Sequence, residues 1–389
     1  MQNQLPLPGA DALEHSAHLS SRIADEIRSS GGWLSFARFM ELALFAPGLG
    51  YYSGGSHKFG PDGDFVTAPE ITPLFGRSLA AQVQQVLAAS APQVIEVGAG
   101  TGLLACDLLL ELEARGALPD SYAILELSGE LRVRQAEILR ERVPHLVERV
   151  SWLDALPEAF AGCILANEVL DVMPVQLLVW RDGEIFERGV CLDDEGGFTW
   201  RDQPAAGRLL AAAEALAVEM PSEGEYLSEI CLAAQAWVAG WAPRLTQGAI
   251  ILIDYGYPQA EYYLPSRSSG TLQCYYRHRA HPDVLLWPGL NDITSFVDFT
   301  AIADAAFAAG LSVEGYTTQA SFLTDCGLLE LLTAVGPSDQ APYLRAARAA
   351  LRLIAPHEMG ELFKVLILGR ELNLPLLVGL RTGERSHVL

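Results

Sequence analysis

The chain is poor in cationic residues and has no long apolar run, and both features limit what it can bind. Its 389 residues include 26 Lys and Arg against 48 Asp and Glu, a formal net charge of −22. A nucleic-acid partner requires a positive surface that replaces counterions, so this balance disfavours one. No apolar segment approaches the ~20 residues that a membrane-spanning helix needs. We therefore expect neither nucleic-acid binding nor insertion into a membrane.

Cysteine pairs and targeting signals are also missing. The six cysteines contain no C-x-x-C pair, which argues against a zinc site or a disulfide framework. The N-terminal stretch MQNQLPLPGADALEHS has neither the regions of a secretory signal nor the arginine content of a mitochondrial one. We expect a cytoplasmic protein that needs no metal.

The acidic charge balance is compatible with two interpretations. It suits a cationic substrate, such as an Arg or Lys side chain of another protein. It is also typical of an acidic surface that only keeps a protein soluble.

The order of predicted elements indicates an α/β fold with a doubly wound, Rossmann-like domain. Strands and helices alternate from residue 93 to 168, and the strand pattern resumes at 248–256 and closes at 360–370. This alternation predicts a parallel sheet with right-handed crossovers. After Pro174, alternating segments around a D-G turn predict antiparallel strands. Two helices are expected next, over 205–219 and 226–245.

The segment VIEVGAGTG (94–102) joins the first strand of this domain to a helix. A dinucleotide-binding turn would have a glycine or alanine where Leu103 stands. The glycines instead read G-A-G-T-G with an acid two residues before the first, which resembles motif I of the class I S-adenosylmethionine methyltransferases. S-adenosylmethionine has no phosphate but carries a sulfonium and an amino group, whose positive charge an acid at the strand end favours. We expect this cofactor at the turn, contacted by Glu96, Gly98, Ala99, Gly100 and Gly102.

Acidic residues follow the next two strands. Glu126 ends the strand YAILE, where nucleoside-binding α/β domains place an acid for the ribose hydroxyls. Asp154 follows VSWL and is a candidate for the adenine amine. A helix-capping role for Asp154 is the alternative.

The fourth strand ends in ANEVLDVMP (166–174), at the edge of the sheet that faces the transferred group. Its amide and two carboxylates suit a guanidinium held by paired hydrogen bonds. We assign Glu168 to orient and polarise the guanidinium, with Asn167 and Asp171 as further catalytic candidates and Asp64 as an alternative to Asp171. A solvated polar loop is the competing interpretation.

Several stretches together resemble the MidA-like methyltransferases, the family of the mitochondrial protein-arginine methyltransferase needed for respiratory complex I assembly. The resemblance runs from about residue 19 to 370, and its stretches include SFARFMELALFAPGLGYY, GDFVTAPEITPLFG, VIEVGAGTGLLACDLL, ANEVLDVMPVQ, PGLNDITSFVDF and HEMGELFKVL. It implies a class I methyltransferase fold, S-adenosylmethionine as donor, and transfer to an arginine of a protein, with a respiratory complex I subunit as the partner implied by the mitochondrial branch.

The resemblance also implies site residues and segments. The loop that matches GDF.T.PE is implied to fold over the cofactor, and its matching residues are Gly63, Asp64, Phe65, Thr67, Pro69 and Glu70. The loop on the substrate side matches at Asn167, Glu168, Leu170 and Asp171. We divide the chain into an N-terminal helical segment with a lid loop, two parts of the methyltransferase domain separated by an insertion, and a tail, at 1–90, 91–173, 174–245, 246–372 and 373–389.

The expected function is therefore methylation of a protein arginine by an S-adenosylmethionine-dependent enzyme. A small-molecule methyltransferase and a non-catalytic S-adenosylmethionine-binding assembly factor are the alternatives. The strand edges of the insertion are compatible with a homodimer.

Overall fold

The structure, a computed structural model, describes residues 5–54, 66–216, 224–337 and 340–389. The chain folds into two compact units. The first comprises Met1–Phe65, Leu170–Gln235 and Gln259–Asp298. The second comprises Val66–Val169, Ala236–Pro258 and Phe299–Leu389.

The α-helices of the described residues are numbered in chain order. They are α1 (Ala10–Ser29), α2 (Phe36–Phe45), α3 (Ala68–Ile71), α4 (Leu74–Ala89), α5 (Leu103–Ala114), α6 (Gly129–Arg142), α7 (Gly207–Leu216), α8 (Leu232–Trp241), α9 (Gln259–Tyr262), α10 (Phe299–Ala308), α11 (Gln319–Asp325), α12 (Leu328–Thr333) and α13 (Ala341–Ile354).

The strands of the same residues are numbered likewise. They are β1 (Leu34–Ser35), β2 (Gln93–Val97), β3 (Ser121–Leu125), β4 (Val150–Leu153), β5 (Phe160–Asn167), β6 (Gln176–Arg181), β7 (Glu184–Leu192), β8 (Phe198–Pro204), β9 (Glu225–Ile230), β10 (Leu245–Tyr257), β11 (Gln273–Tyr276), β12 (Arg279–His281), β13 (Asp292–Thr294), β14 (Val297–Asp298), β15 (Ser312–Thr318) and β16 (Phe363–Arg370).

The second unit contains the large sheet, with strand order β15-β16-β10-β5-β2-β3-β4. The pairs from β10 to β4 are parallel, and β16 is antiparallel to both β10 and β15. The chain builds outward from β2 to β4 and then returns to place β5 on the other side of β2. The strand order thus reverses between β2 and β5, where open α/β sheets bind their ligands at the carboxyl ends of the strands.

The core of the second unit lies on both faces of this sheet. Strands β10 and β16 are almost continuously apolar, as IILI and VLIL show, because strands covered on both faces bury every side chain. The core continues into α4 and α5, through residues such as Phe75, Val83 and Leu108. The doubly wound class predicted from the sequence is confirmed, with one antiparallel strand added near its edge.

The first unit is built on antiparallel sheets. One has the order β1-β7-β6-β9, with β8 paired to β7, and a smaller one has the order β12-β11-β13. The predicted D-G turn connects β6 to β7, and Asp182 and Gly183 both have positive φ, 54° and 79°. Hairpin turns of two residues favour this conformation because it matches the twist of the strands. Helices α1 and α2 pack their apolar residues, among them Leu19, Ile23 and Phe39, into the core of this unit.

One helix prediction was wrong at its start. Residues 226–230, expected in a helix over 226–245, lie in β9, which pairs antiparallel with β6. The segment EYLSEI buries Tyr226, Ser228 and Ile230 at a spacing of two, which is typical of a strand, and Glu229 between them is buried as well. Only α8 is helical in the expected range, because the short apolar run after Cys231 has helical spacing.

The sequence predicted no disulfide framework and no insertion into a membrane. The six cysteines are free, and all but Cys231 are buried. Among the described residues, no helix is both long and apolar enough to cross a membrane.

Candidate functional site

The glycine turn lies between β2 and α5 at the point where the strand order reverses. Gly98, Gly100 and Gly102 have φ values of 64°, 51° and 87°. Residues with a Cβ rarely adopt this left-handed region, so three glycines are needed to reverse the chain so tightly. Gly102 is the residue before α5, so the backbone N–H groups that begin this helix follow the turn directly.

The surroundings of the three glycines differ. A Cβ on Gly98 would lie 3.1 Å from Cγ2 of Val169, and one on Gly102 would lie 3.3 Å from Cα of Gln135. A Cβ on Gly100 would meet no atom within 4 Å. The turn is therefore packed against protein at both ends and open at its centre, where a ligand can approach the backbone.

Glu96, on β2, is the acid two residues before the turn. Its side chain is buried, with 3% exposed, and its Oε2 accepts a hydrogen bond of 2.6 Å from the Tyr122 hydroxyl. Burial raises the pKa of Glu96 to about 7, with the Tyr122 hydrogen bond acting against this and the Glu126 charge adding to it. A nearby cation would favour the ionised form of this buried carboxyl group and lower its pKa.

Glu126 follows β3 and is held by donors on both of its oxygens. Oε1 accepts from the Ser128 backbone N–H at 2.9 Å, and Oε2 accepts from Nε2 of Gln135 at 3.1 Å. Burial raises the pKa of Glu126, and these two hydrogen bonds oppose the rise. A carboxylate has about four acceptor positions, so Glu126 can still accept a hydrogen bond from a ribose hydroxyl.

Asp154 follows β4 and is largely exposed. Its side chain is 90% exposed, and Oδ1 accepts from Arg132 at 2.7 Å. Arg132 also donates to the carbonyls of Glu126 and Leu153, so it connects the ends of β3 and β4. The role of Asp154 toward adenine stays a prediction.

The predicted lid loop is described in part. Gly63, Asp64 and Phe65 lie outside the described residues. Thr67 is the N-cap position of α3, which has Pro69 in its first turn and also contains Glu70. The backbone N–H of Ala68 donates to Oε1 of Glu168 at 3.4 Å, which connects this segment to the end of β5.

Asn167 and Glu168 lie together at the end of β5. Nδ2 of Asn167 donates to Oε1 of Glu168 at 3.1 Å, and the Glu168 N–H donates to the Ile253 carbonyl on β10. Glu168 has a φ of 53°, uncommon for a residue with a side chain. Asp254 supports this geometry, because its Oδ2 accepts from the Val169 N–H at 3.1 Å and its side chain is 1% exposed. The carboxylate of Glu168 is thus fixed by both its backbone and its neighbours.

The other two residues of the predicted substrate loop belong to the first unit. Leu170 and Asp171 are 3% and 4% exposed, and the Asp171 carbonyl accepts from the Ser295 N–H at 2.9 Å. Burial raises the pKa of Tyr52 well above its usual value, and the charges of Asp292 and Asp171 raise it further. Asp171 therefore lies in an acidic environment of the first unit, and its catalytic role stays a prediction.

Some residues of the site were not found from the sequence. Gln135 and Tyr122 contact the turn or its acids, and Trp152 donates to Gln135, but all three stand inside helices and strands where chemistry is not expected. A signal for Gln135 was present, because it precedes Leu139 by four positions on a helix whose other residues are mostly polar. A glutamine on the buried face of a helix indicates that its amide has partners.

The residues that are present fit S-adenosylmethionine. The open centre of the turn admits the backbone approach that a nucleoside ligand needs, and Glu126 keeps an acceptor position for a ribose hydroxyl. Glu96 is a buried carboxyl group whose raised pKa would be lowered by a cationic ligand. Among the described residues, no group of three His, Cys, Asp or Glu side chains could hold a metal ion.

A mostly parallel sheet with one antiparallel strand and an acid-preceded glycine turn at its switch point defines the class I S-adenosylmethionine-binding fold. Residues 74–317 match the family described as S-adenosyl-L-methionine-dependent methyltransferase. The chain belongs to this family, and S-adenosylmethionine is the methyl donor.

Named relatives and a solved structure agree with this assignment. The protein arginine methyltransferase NDUFAF7, mitochondrial, of Danio rerio is 29% identical over 89% of this chain and 85% of its own length. The Mus musculus protein of the same name is 30% identical over 87% and 81%. A crystal structure of a Burkholderia thailandensis protein bound to S-adenosyl-homocysteine is 48% identical and covers 99% of this chain and 100% of its own, with a TM-score of 0.95. The methyltransferase and cofactor predictions from the sequence are confirmed.

Proposed function

We propose that the protein transfers a methyl group from S-adenosylmethionine to the guanidinium of an arginine in another protein. The observation that carries the proposal is Glu168, a carboxylate fixed at the end of β5 in a left-handed backbone conformation. Residues held in such conformations concentrate at functional sites. The relatives named as protein arginine methyltransferases support the same acceptor.

When bound, S-adenosylmethionine supplies an electrophilic methyl group on a sulfonium. The residues of the chain have to align the acceptor nitrogen and exclude water. A carboxylate can accept two N–H groups of one guanidinium, and Asn167 and the Ala68 N–H restrict the rotation of the Glu168 carboxylate. As the new N–C bond forms and the C–S bond breaks, the sulfur keeps the electron pair, and the nitrogen loses a proton that Glu168 can accept.

We propose that the cofactor is bound by Glu96, Gly98, Ala99, Gly100, Gly102 and Glu126, with Asp154, Thr67, Pro69 and Glu70 as outer contacts. Glu168 and Asn167 orient the acceptor, and Asp171 is proposed to assist. The proposed acceptor is a protein, and the family resemblance favours a subunit of respiratory complex I.

The test uses the purified protein, tritiated S-adenosylmethionine and a lysate of cells that lack the gene. We expect labelled protein bands that yield methylarginine on hydrolysis. Glu168→Gln keeps the size of the side chain and removes its charge, and we expect the labelling rate to fall about 100-fold or more. Its affinity for S-adenosyl-homocysteine, measured by calorimetry, should stay within about threefold.

A matched control is Glu158→Gln, which removes the same charge from an exposed position in the second unit. Labelling by this variant should equal that of the wild type. Label confined to filterable compounds would instead identify a small-molecule methyltransferase. Cofactor binding without any label transfer would identify a non-catalytic binding protein.

Cellular location and oligomeric state have direct tests as well. We propose a cytoplasmic protein, to be checked by fractionation of the source cells. The proposed homodimer would have twice the 42.1 kDa mass of the chain in multi-angle light scattering.

A further inference from the structure

Gln135 is a fully buried polar residue in a helix that is otherwise mostly solvated. Its side chain is 0% exposed, and it and Leu139 are the buried residues of α6. Burying an amide is costly unless its hydrogen bonds are made, so an apolar side chain would serve simple packing better. The amide of Gln135 must therefore have a specific task.

The partners of the amide come from three separate segments of the candidate cofactor site. Nε2 donates to the Gly100 carbonyl at 3.0 Å and to Oε2 of Glu126 at 3.1 Å. Oε1 accepts from Nε1 of Trp152 on β4 at 2.8 Å. Both N–H groups and one acceptor position of the amide are thus engaged.

These contacts fix two groups that face the cofactor. Glu126 is held between the Ser128 N–H and the Gln135 amide, so its rotamer is set before a ligand arrives. The Gly100 peptide is held in a turn whose backbone is otherwise open at this point. A group that is already oriented loses less conformational entropy on binding.

We infer that Gln135 is a positioning residue for the methyl donor, which couples the glycine turn to the acid that holds the ribose. The inference rests on the candidate cofactor site and not on the identity of the acceptor. Gln135 acts through Gly100 and Glu126, and Trp152 fixes the orientation of its amide. Its loss therefore weakens the binding of the nucleoside part of the donor more than it slows methyl transfer.

The test compares two buried helical glutamines. Gln135→Met keeps the length of the side chain and removes its hydrogen bonds. Gln82→Met does the same on α4, where Gln82 is also 0% exposed and contacts Gln85 and the Gly379 N–H. Both variants should lose stability, but only Gln135→Met should bind S-adenosyl-homocysteine more weakly, by about tenfold, because it loses the hydrogen bonds that position Glu126 and Gly100.

Two further measurements distinguish a positioning role of Gln135 from a general loss of stability. The KM for the donor should rise about tenfold in Gln135→Met while kcat changes less than about threefold. In a double-mutant cycle, Glu126→Gln combined with Gln135→Met should bind little more weakly than Glu126→Gln alone, since Gln135 acts partly through Glu126. Equal affinity of Gln135→Met and the wild type, or equal losses in Gln135→Met and Gln82→Met, would overturn the inference.

If Gln135→Met does not fold, Gln135→Glu decides in its place. It keeps the acceptor for Trp152 but presents a carboxyl group to the Gly100 carbonyl and to Glu126. At pH 8 we expect about tenfold weaker binding, and unchanged binding would contradict the inference. All these measurements use S-adenosyl-homocysteine or the donor, so they are independent of whether arginine is the acceptor.

Discussion

At the scale of single residues, Glu96 combines burial with an expected cationic neighbour. Burial raises its pKa to about 7, so near neutral pH the carboxyl is partly protonated in the cofactor-free protein. A nearby sulfonium or amino group favours the ionised form and lowers that pKa. Cofactor binding is therefore linked to the release of a proton.

The affinity for S-adenosylmethionine is expected to rise about three- to tenfold between pH 6 and pH 8, because the proton on Glu96 must leave for the cation to be neutralised. Calorimetry at pH 7 in buffers of different ionisation enthalpy measures the released fraction. Glu96→Gln should bind more weakly and release no proton at this step. A proton release that persists in Glu96→Gln would assign it to another group.

The same carboxyl has a predictable effect on stability. Its pKa is raised above the unfolded value of 4.5, so the stability that its proton contributes is complete below that value and is lost as pH rises through about 7. Glu96→Gln, which mimics the protonated form, should raise the Tm of the cofactor-free protein at pH 8 by about 2–4 °C. At pH 5 the two proteins should melt together, and a difference of equal size at both pH values would contradict this explanation.

At the scale of elements, the sequence predicted where the glycine turn and Glu126 lie relative to the strands, because these signals are local. Three glycines between a strand and a helix specify a left-handed turn, and Glu126 ends a strand whose position follows from the topology. The sequence places Gln135 on the buried face of its helix, but its partners could not be predicted, since Gly100 and Trp152 come together only in the folded sheet. The wrong helix prediction at 226–230 has the same cause, because these residues form a strand through pairing with β6, which is distant in the sequence.

The glycine turn offers a matched pair of substitutions. Gly100 and Gly116 have similar φ values, 51° and 65°, and a Cβ at either position meets no atom within 4 Å. An alanine at either should destabilise the protein by about 1–2 kcal/mol, because both impose a left-handed conformation. Gly116 follows the C-cap of α5, so only Gly100→Ala should weaken S-adenosyl-homocysteine binding, by about tenfold or more. Calorimetry on both variants provides the measurement, and equal affinities would remove the turn from the cofactor site.

At the scale of the whole molecule, the fold class and family could be predicted because their signals extend over most of the chain. The acceptor is a separate question, because net charge and a single carboxylate restrict the chemistry of a substrate without naming it. The net charge of −22 is compatible both with a cationic acceptor and with a surface that serves solubility alone.

The KM for a basic arginine-containing peptide is expected to rise about three- to tenfold between 0.01 and 0.15 M ionic strength, as the attraction is screened. The affinity for S-adenosyl-homocysteine, whose net charge is small, should stay within about twofold over the same range. A KM for the peptide that does not change with salt would show that the acidic surface serves solubility alone.

The central claim is that a phosphate-free, cationic methyl donor binds across the ends of β2 and β3. The most direct measurement is a crystal structure of this protein grown with S-adenosyl-homocysteine. We predict the ribose hydroxyls within hydrogen-bond distance of Glu126 and the ligand against the backbone at Gly100. A ligand bound elsewhere, with the turn and Glu126 free of contact, would contradict the account.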